Sequence, residues 1–214
     1  ADDGWQAFGV LHNAAARVAG LDLGFVPGDG GSDFAAMAAG GADVIYNLGA
    51  DEIDIAPGPF VIYQGSHGDR GAHRADVILP GATYTEKSVT YVNTEGRAQL
   101  TGKAVFAPGD AREDWMIIRA LSAHVGQPLP YDTLAALRAD MYKAAPALAA
   151  IGGVQRGDGN AVRALADRSG TMPGDAFPPA VSDFYLTNPI ARASAVMAEL
   201  SAMTAAGPSS AAAE

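Results

Sequence analysis

The chain has 214 residues, 49% of them hydrophobic and 18% charged, enough for one sizeable domain or about one and a half. Its formal net charge of −10 excludes the basic face that nucleic acid requires. It contains no cysteine, which excludes disulfides, thiolate nucleophiles and thiolate-held iron–sulfur clusters within these residues.

In chain order, Trp5, Phe8, Leu11, Ala15 and Val18 fall on one helical face, with Asp2 or Asp3 placed to cap the start and Gly20 to cap the end. Residues 21–27 read as irregular and Gly28-Asp29-Gly30-Gly31 as a turn. Ser32 is placed to cap a short helix through Met37 that ends at Gly40-Gly41. Val44-Ile45-Tyr46-Asn47-Leu48, Phe60-Val61-Ile62-Tyr63 and Val77-Ile78-Leu79 are apolar, β-branched runs without polar alternation. That is the pattern of parallel strands covered on both faces. Pro80 ends the third run because it has no N–H to give a ladder. Residues 89–93 and 97–101 read as a hairpin, with Gly96 supplying a positive φ.

Beyond the hairpin, residues 113–125 predict an amphipathic helix with Trp115, Ile118, Leu121 and Val125 inward. Asp132 is placed to cap a helix carrying Leu134, Leu137 and Met141. Residues 152–160 read as a glycine-rich loop. Residues 171–182 read as an extended crossing segment anchored by Phe184-Tyr185-Leu186, residues 190–206 as a last helix and residues 207–214 as a frayed tail. The organisation expected is a Rossmann-like α/β region over 1–107, a helical and extended region over 108–206 packing on it, and a disordered tail over 207–214. No apolar run approaches the ~20 residues of a membrane span, so no direct membrane insertion is expected. Residue 1 is Ala and no strand precedes the first helix pattern, so a piece of a longer polypeptide is expected.

Several clusters invite chemistry, and each has a plainer reading. Gly28-Asp29-Gly30-Gly31 precedes a helix, as anion cradles do, but it is not G-x-G-x-x-G and follows no clear strand, so it reads as a turn. Gly157-Asp158-Gly159 fails the same test. Ser66, His67 and Asp69 lie just past a strand end, where open α/β sheets bind ligands. Gln64 stands where a hydrolase elbow needs Gly, so a hydrogen-bonded loop is the plainer reading. His67 and His73 have a metal-like spacing but no companion ligands. Asp51, Glu52 and Asp54 suit a ribose hydroxyl or a cation, and read more simply as a solvated strand end. Glu86-Lys87 and Glu95-Gly96-Arg97 read as ion pairs pinning the corner before the hairpin and its turn. Spacing therefore yields no catalytic residue, no cofactor-binding residue and no metal ligand.

Ala75-Asp76-Val77-Ile78-Leu79-Pro80, Glu86-Lys87 and Tyr91-Val92-Asn93-Thr94-Glu95-Gly96-Arg97 resemble a signature of the molybdopterin oxidoreductase superfamily. Five further stretches narrow the resemblance. They are residues 21–28, residues 48–54, Tyr63-Gln64-Gly65 with His67-Gly68-Asp69, Ala111-Arg112-Glu113-Asp114-Trp115 and Asp183-Phe184-Tyr185. With Pro130-Tyr131-Asp132-Thr133-Leu134, they resemble the C-terminal part of the large iron–sulfur subunits of NADH:quinone oxidoreductase, respiratory complex I.

The resemblance implies a Rossmann-like parallel sheet layer of the molybdopterin oxidoreductase fold, followed by a mostly helical C-terminal region. It implies an enzyme only as part of a proton-translocating NADH:quinone oxidoreductase, and no catalytic residue here. The 2Fe-2S and 4Fe-4S clusters would belong to an N-terminal region not among these residues. The implied role is a cofactor-free scaffold among the other peripheral-arm subunits, on the cytoplasmic face of a bacterial inner membrane or the matrix face in mitochondria. Ser88-Val89-Thr90 stands where cofactor-bearing relatives commonly show Gly-Thr, and no Cys is present to ligate molybdenum, which counts against cofactor binding by Asn93 or Arg97. The rival expectation is an active molybdopterin- or nucleotide-binding oxidoreductase domain with its crevice above Leu48, Tyr63 and Leu79. A regulatory nucleotide-binding module is the third.

Overall fold

A computed structural model of the protein describes residues 12, 14, 17–154, 157–161, 174, 176 and 181–205. These fall into two compact units, each assembled from separate stretches of chain. One comprises Pro27–Lys87, Lys103–Pro128 and Pro179–Glu214. The other comprises Ala1–Val26, Ser88–Gly102 and Leu129–Pro178.

The first unit is built on a parallel sheet of β1 (Val44–Leu48), β2 (Phe60–Gly65) and β3 (Val77–Pro80), in that order. Val44 pairs with Phe60 and Leu48 with Gln64 on one side of β2, and Ile62 pairs with Val77 and Gly65 with Pro80 on the other. The middle strand matches the covered-strand pattern from its second residue on, with Val61, Tyr63 and Gln64 buried, while Phe60 at its start is 47% exposed. The outer strands differ from expectation. Val77 and Ile78 of β3 are exposed, as are Val44 and Leu48 of β1, because each borders only one neighbour and no described helix covers them fully. The apolar runs mark strands correctly, while burial depends on position in the sheet.

Short helices flank this sheet. In α2 (Phe34–Ala38) the cap is Asp33, one residue later than expected, its carboxylate accepting from the Ala36 amide at 2.8 Å. In α3 (Arg70–His73) the cap is Asp69. The connection from β2 to β3 is closed by Asp76, whose carboxylate accepts the Val61 N–H at 2.7 Å, and by Arg74, which donates to the carbonyls of Ala56 and Pro59. The helix expected over 113–125 is α4 (Asp114–His124); Trp115, Ile118 and Leu121 are half-buried, but Val125 lies past its end and is exposed.

The second unit is smaller. It holds α1 (Arg17–Asp22), the hairpin of β4 (Thr90–Val92) and β5 (Ala98–Leu100), α5 (Leu134–Ala144) and a 3₁₀ turn over Pro146–Ala149. Its core is Val92, Ala98, Ala145 and Leu148, with Val18, Ala19, Met141 and Tyr142 packed against them. The hairpin forms as read: Val92 pairs with Ala98, Gly96 has φ 81°, and the Asn93 side chain accepts from the amides of Glu95 and Arg97 at 3.0 Å each.

Two helix ends move. Gly20 lies inside α1, and the chain turns at Gly24 (φ 69°), where the Phe25 amide reaches back to the Gly20 carbonyl at 2.7 Å. Only the residue that must adopt the left-handed conformation is the true cap. The cap of α5 is Thr133, accepting from the Ala136 amide at 3.1 Å, and not Asp132. The face read on Trp5, Phe8, Leu11 and Ala15, most of the segment 171–182 and the tail 207–214 lie outside the described residues. The last helix is two: α6 (Pro189–Arg192), capped by Asn188, and α7 (Ala195–Ala205).

Candidate functional site at the carboxyl edge of the sheet

In open α/β sheets, ligands bind beyond the carboxyl ends of the strands. Here the loops after β1 and β2 bring together Asp51, Glu52 and Asp69. Asp51 is 5% exposed, and the Gly71 amide donates to its carbonyl at 3.0 Å, which holds the start of α3 against the loop after β1. A Cβ on Gly71 would lie 2.9 Å from Asn47 Nδ2 and 3.0 Å from the Ala50 carbonyl, so this close approach requires glycine. Asn47 itself is buried and donates to Ala50 O at 2.9 Å.

The three carboxylates converge on Arg192, at the end of α6. Arg192 Nε donates to Asp69 Oδ2 at 2.5 Å, and Nη1 donates to Glu52 Oε2 at 3.0 Å and to the Leu186 carbonyl at 3.0 Å. Nη2 lies 3.2 Å from Asp51 Oδ1, within ion-pair distance but outside hydrogen-bond alignment. Asp54 pairs separately with Arg70 at 2.8 Å. The solvated strand end that spacing suggested holds for Glu52 and Asp54, whose side chains are 61% and 78% exposed although each pairs with an arginine, and fails for Asp51, which is buried.

Electrostatics follow from this crowding. Burial pushes the Asp51 carboxyl above the ordinary carboxylate range; Arg192 opposes the shift, and the charges of Asp69 and Glu52 add to it. The hydrogen bond from Arg192 holds Asp69 below its ordinary value. Burial lowers the Arg192 guanidinium, but its bond to Asp69 and the charges of Asp51, Asp69 and Glu52 outweigh that and raise it. Burial, with the charges of Asp51 and Asp69, raises the Tyr63 phenol, which donates to the His67 carbonyl at 2.9 Å.

The remaining candidates separate. Ser66 Oγ is 3.0 Å from His67 Nδ1, while the Asp69 carboxylate turns to Arg192, so the three do not form a relay. Among the described residues, no group of three or more His, Cys, Asp or Glu side chains is arranged to hold a metal ion. Gly28 to Gly31 form a turn, closed by Gly31 N to Gly28 O at 2.8 Å. Lys87 pairs with Asp114 and not with Glu86, whose carboxylate accepts the Thr83 N–H. Arg97 pairs with Glu95 at 3.3 Å as read and also donates to the Gly152 carbonyl at 2.6 Å. Phe184 is 82% exposed and meets Tyr185 edge-on with ring centroids 5.8 Å apart, whereas Tyr185 and Leu186 are half-buried. A cleft of about 450 Å³ opens beside Ser66 and His67, bounded by Thr83, Glu86 and Asp110.

Sequence reasoning missed Arg192, Gln64 and Asp114. Gln64, fully buried in β2, accepts a hydrogen bond from the Tyr46 hydroxyl and donates to Asp114 Oδ1 at 2.9 Å and to its carbonyl at 3.3 Å. A polar residue interrupting an apolar strand was the available signal for Gln64. Arg192 carried none, lying 123 residues from Asp69.

A three-stranded parallel sheet flanked by helices is the frame of an α/β protein. Residues 1–124 match the family model for molybdopterin oxidoreductase, more than half of the chain, and the chain belongs to that family. The motif resemblance around residues 75–97 thus holds across the first half. Residues 145–200 match the family model for the C-terminal part of NADH-ubiquinone oxidoreductase G.

The chain is similar to the NADH-ubiquinone oxidoreductase 75 kDa subunit of Reclinomonas americana, 43% identical over 201 residues, covering 93% of this chain and 29% of that protein. It is similar to the mitochondrial NADH dehydrogenase [ubiquinone] iron-sulfur protein 1 of Solanum tuberosum, 44% identical, covering 93% of this chain and 26% of that one. It is 41% identical to the mitochondrial 78 kDa subunit of Neurospora crassa, covering 92% of this chain and 27% of that protein. The chain thus spans between 26% and 29% of the length of these three relatives.

Proposed function

We propose that these residues are the C-terminal structural segment of a large iron–sulfur subunit of NADH:quinone oxidoreductase, respiratory complex I, and that beyond β1 and β2 the carboxyl edge inherited from the molybdopterin fold is occupied by the chain's own Arg192. The observation that carries this reading is the Arg192 guanidinium seated among Asp51, Asp69 and Glu52 at the carboxyl edge of the sheet. A pterin dinucleotide brings an anionic diphosphate, which three carboxylates repel. The chain also has no cysteine that could offer molybdenum a thiolate ligand. The residues present do not fit that group.

The segment then acts by packing. It belongs among the peripheral-arm subunits, on the cytoplasmic or matrix face of the membrane, while 2Fe-2S and 4Fe-4S clusters are held elsewhere in the parent subunit. Its exposed Phe25, Phe106 and Phe184 are surface that neighbouring chain would cover. Among the described residues no helix is long and apolar enough to cross a membrane.

Metal and pterin analysis of the purified parent enzyme tests this directly. Iron without molybdenum or tungsten, and no pterin fluorescence after oxidative extraction, is the expected result. Stoichiometric molybdenum or pterin overturns the reading, as does ligand density beside Leu48, Tyr63 and Leu79 in an electron microscopy map of the complex.

A further inference from the structure

Residues 181–205 bury few apolar side chains: Tyr185, Leu186, Ala191 and Met197 are half-buried. No residue of α6 or α7 is buried. The hydrogen bonds and ion pairs that link the described part of this segment to the sheet loops run through the single guanidinium of Arg192, which bridges to Asp51, Glu52 and Asp69. The segment's other polar contacts are internal. Asn188 caps α6 at Ala191 N, 2.9 Å, Arg192 holds the Leu186 carbonyl, and Ser201 bonds to Asp183. Among the described residues, the segment therefore keeps its own shape by local bonds, and its polar ties to the sheet loops run through one side chain.

We propose that residues 181–205 form a strap that opens as a unit from the carboxyl edge of the sheet, with Arg192 as its latch. Elements with few buried apolar contacts open at low free energy, well before the global transition. The charged contacts of Arg192 then carry much of what holds it shut, and the pair with Glu52, 61% exposed, is the one that salt screens most. The latch is also unbalanced, with three carboxylates facing one guanidinium, and Arg70, a second cation at this edge, is engaged by Asp54. Opening the strap bares Asp51, Glu52 and Asp69 together. Closing it neutralises one of their charges and covers the loops after β1 and β2.

The strap stands on the Arg192 contacts alone and is independent of which larger enzyme the chain serves. Hydrogen exchange measured by mass spectrometry on the intact protein tests it, comparing the unmodified protein with Arg192→Gln and Arg192→Lys. Expected is exchange about tenfold faster or more across residues 189–205 in Arg192→Gln, with Arg192→Lys between, and no change at the β2 amides Val61 to Gln64. In the unmodified protein, raising salt from low to about 0.5 M speeds the same peptides without any substitution. Unchanged exchange at 189–205 under both treatments overturns the strap. So does acceleration of β2 to the same extent, which would make the latch part of the sheet's global stability.

Discussion

Gln64, at zero exposure in the middle strand, donates its amide to Asp114 Oδ1 at 2.9 Å, joining the centre of the sheet to the first turn of α4. The same amide group accepts from the Tyr46 hydroxyl, and Lys87 Nζ closes the network on Asp114 Oδ2 at 2.5 Å. Burial, reinforced by the charge of Asp114, raises the Tyr46 phenol. Replacing Gln64 with Leu leaves the Tyr46 hydroxyl without its acceptor and Asp114 Oδ1 without its donor, while Oδ2 keeps Lys87. It is expected to cost about 1–3 kcal/mol, read as a lower urea midpoint at unchanged slope.

Gly71→Ala tests the close approach at the start of α3. The neighbours of the new methyl are Ala50 O and Asp51 Cα, at 3.0 and 3.2 Å, and the backbone cannot yield as a flexible side chain would. A loss of about 1–3 kcal/mol is expected. Because Asp69 caps α3, displacing that helix also lengthens the Asp69–Arg192 contact, and faster exchange at residues 189–205 is the second readout.

Leu148→Ala tests the second unit. Leu148 is 1% exposed and fills the space between the hairpin and α5, so its truncation is expected to cost about 2–5 kcal/mol. Leu134→Ala, at a half-buried position on α5, is expected to cost less in the same thermal melt.

The pH dependence of the carboxylate cluster has a definite sign. The depressed Asp69 contributes stability that is present above the ordinary carboxylate range and is lost as pH falls through its lowered folded value. Asp51 works the other way, since its raised value means that acid relieves a buried charge. Asp69→Asn should therefore flatten the acid limb of a stability-against-pH curve, while Asp51→Asn should steepen it by removing the compensating term. Matching curves for the two variants would refute the assignment.

Much of this was legible in the residues themselves. The runs at 44–48, 60–63 and 77–79 became the three parallel strands, and Asn93 to Arg97 with Gly96 became the hairpin turn. Those signals are local: strand preference comes from branched side chains, and a positive φ comes from the absence of a Cβ. The absence of cysteine, and with it the exclusion of thiolate chemistry, needed no structure at all. The family likewise lay in short strings such as Ala75 to Pro80 and Tyr91 to Arg97.

What only the tertiary structure decided was which distant groups meet. Val77 and Ile78 looked like an inner strand and proved to be an edge, because pairing order is set by where other strands lie and not by the run itself. Asp51 and Glu52 read as a solvated strand end and Asp69 as part of a hydrogen-bonded loop, and neither reading reached the arginine more than 120 residues later in the chain that lies among them. Propensity acts between neighbours and is written in sequence. Charge pairing between loops acts through space, and only the folded chain fixes which loops share that space.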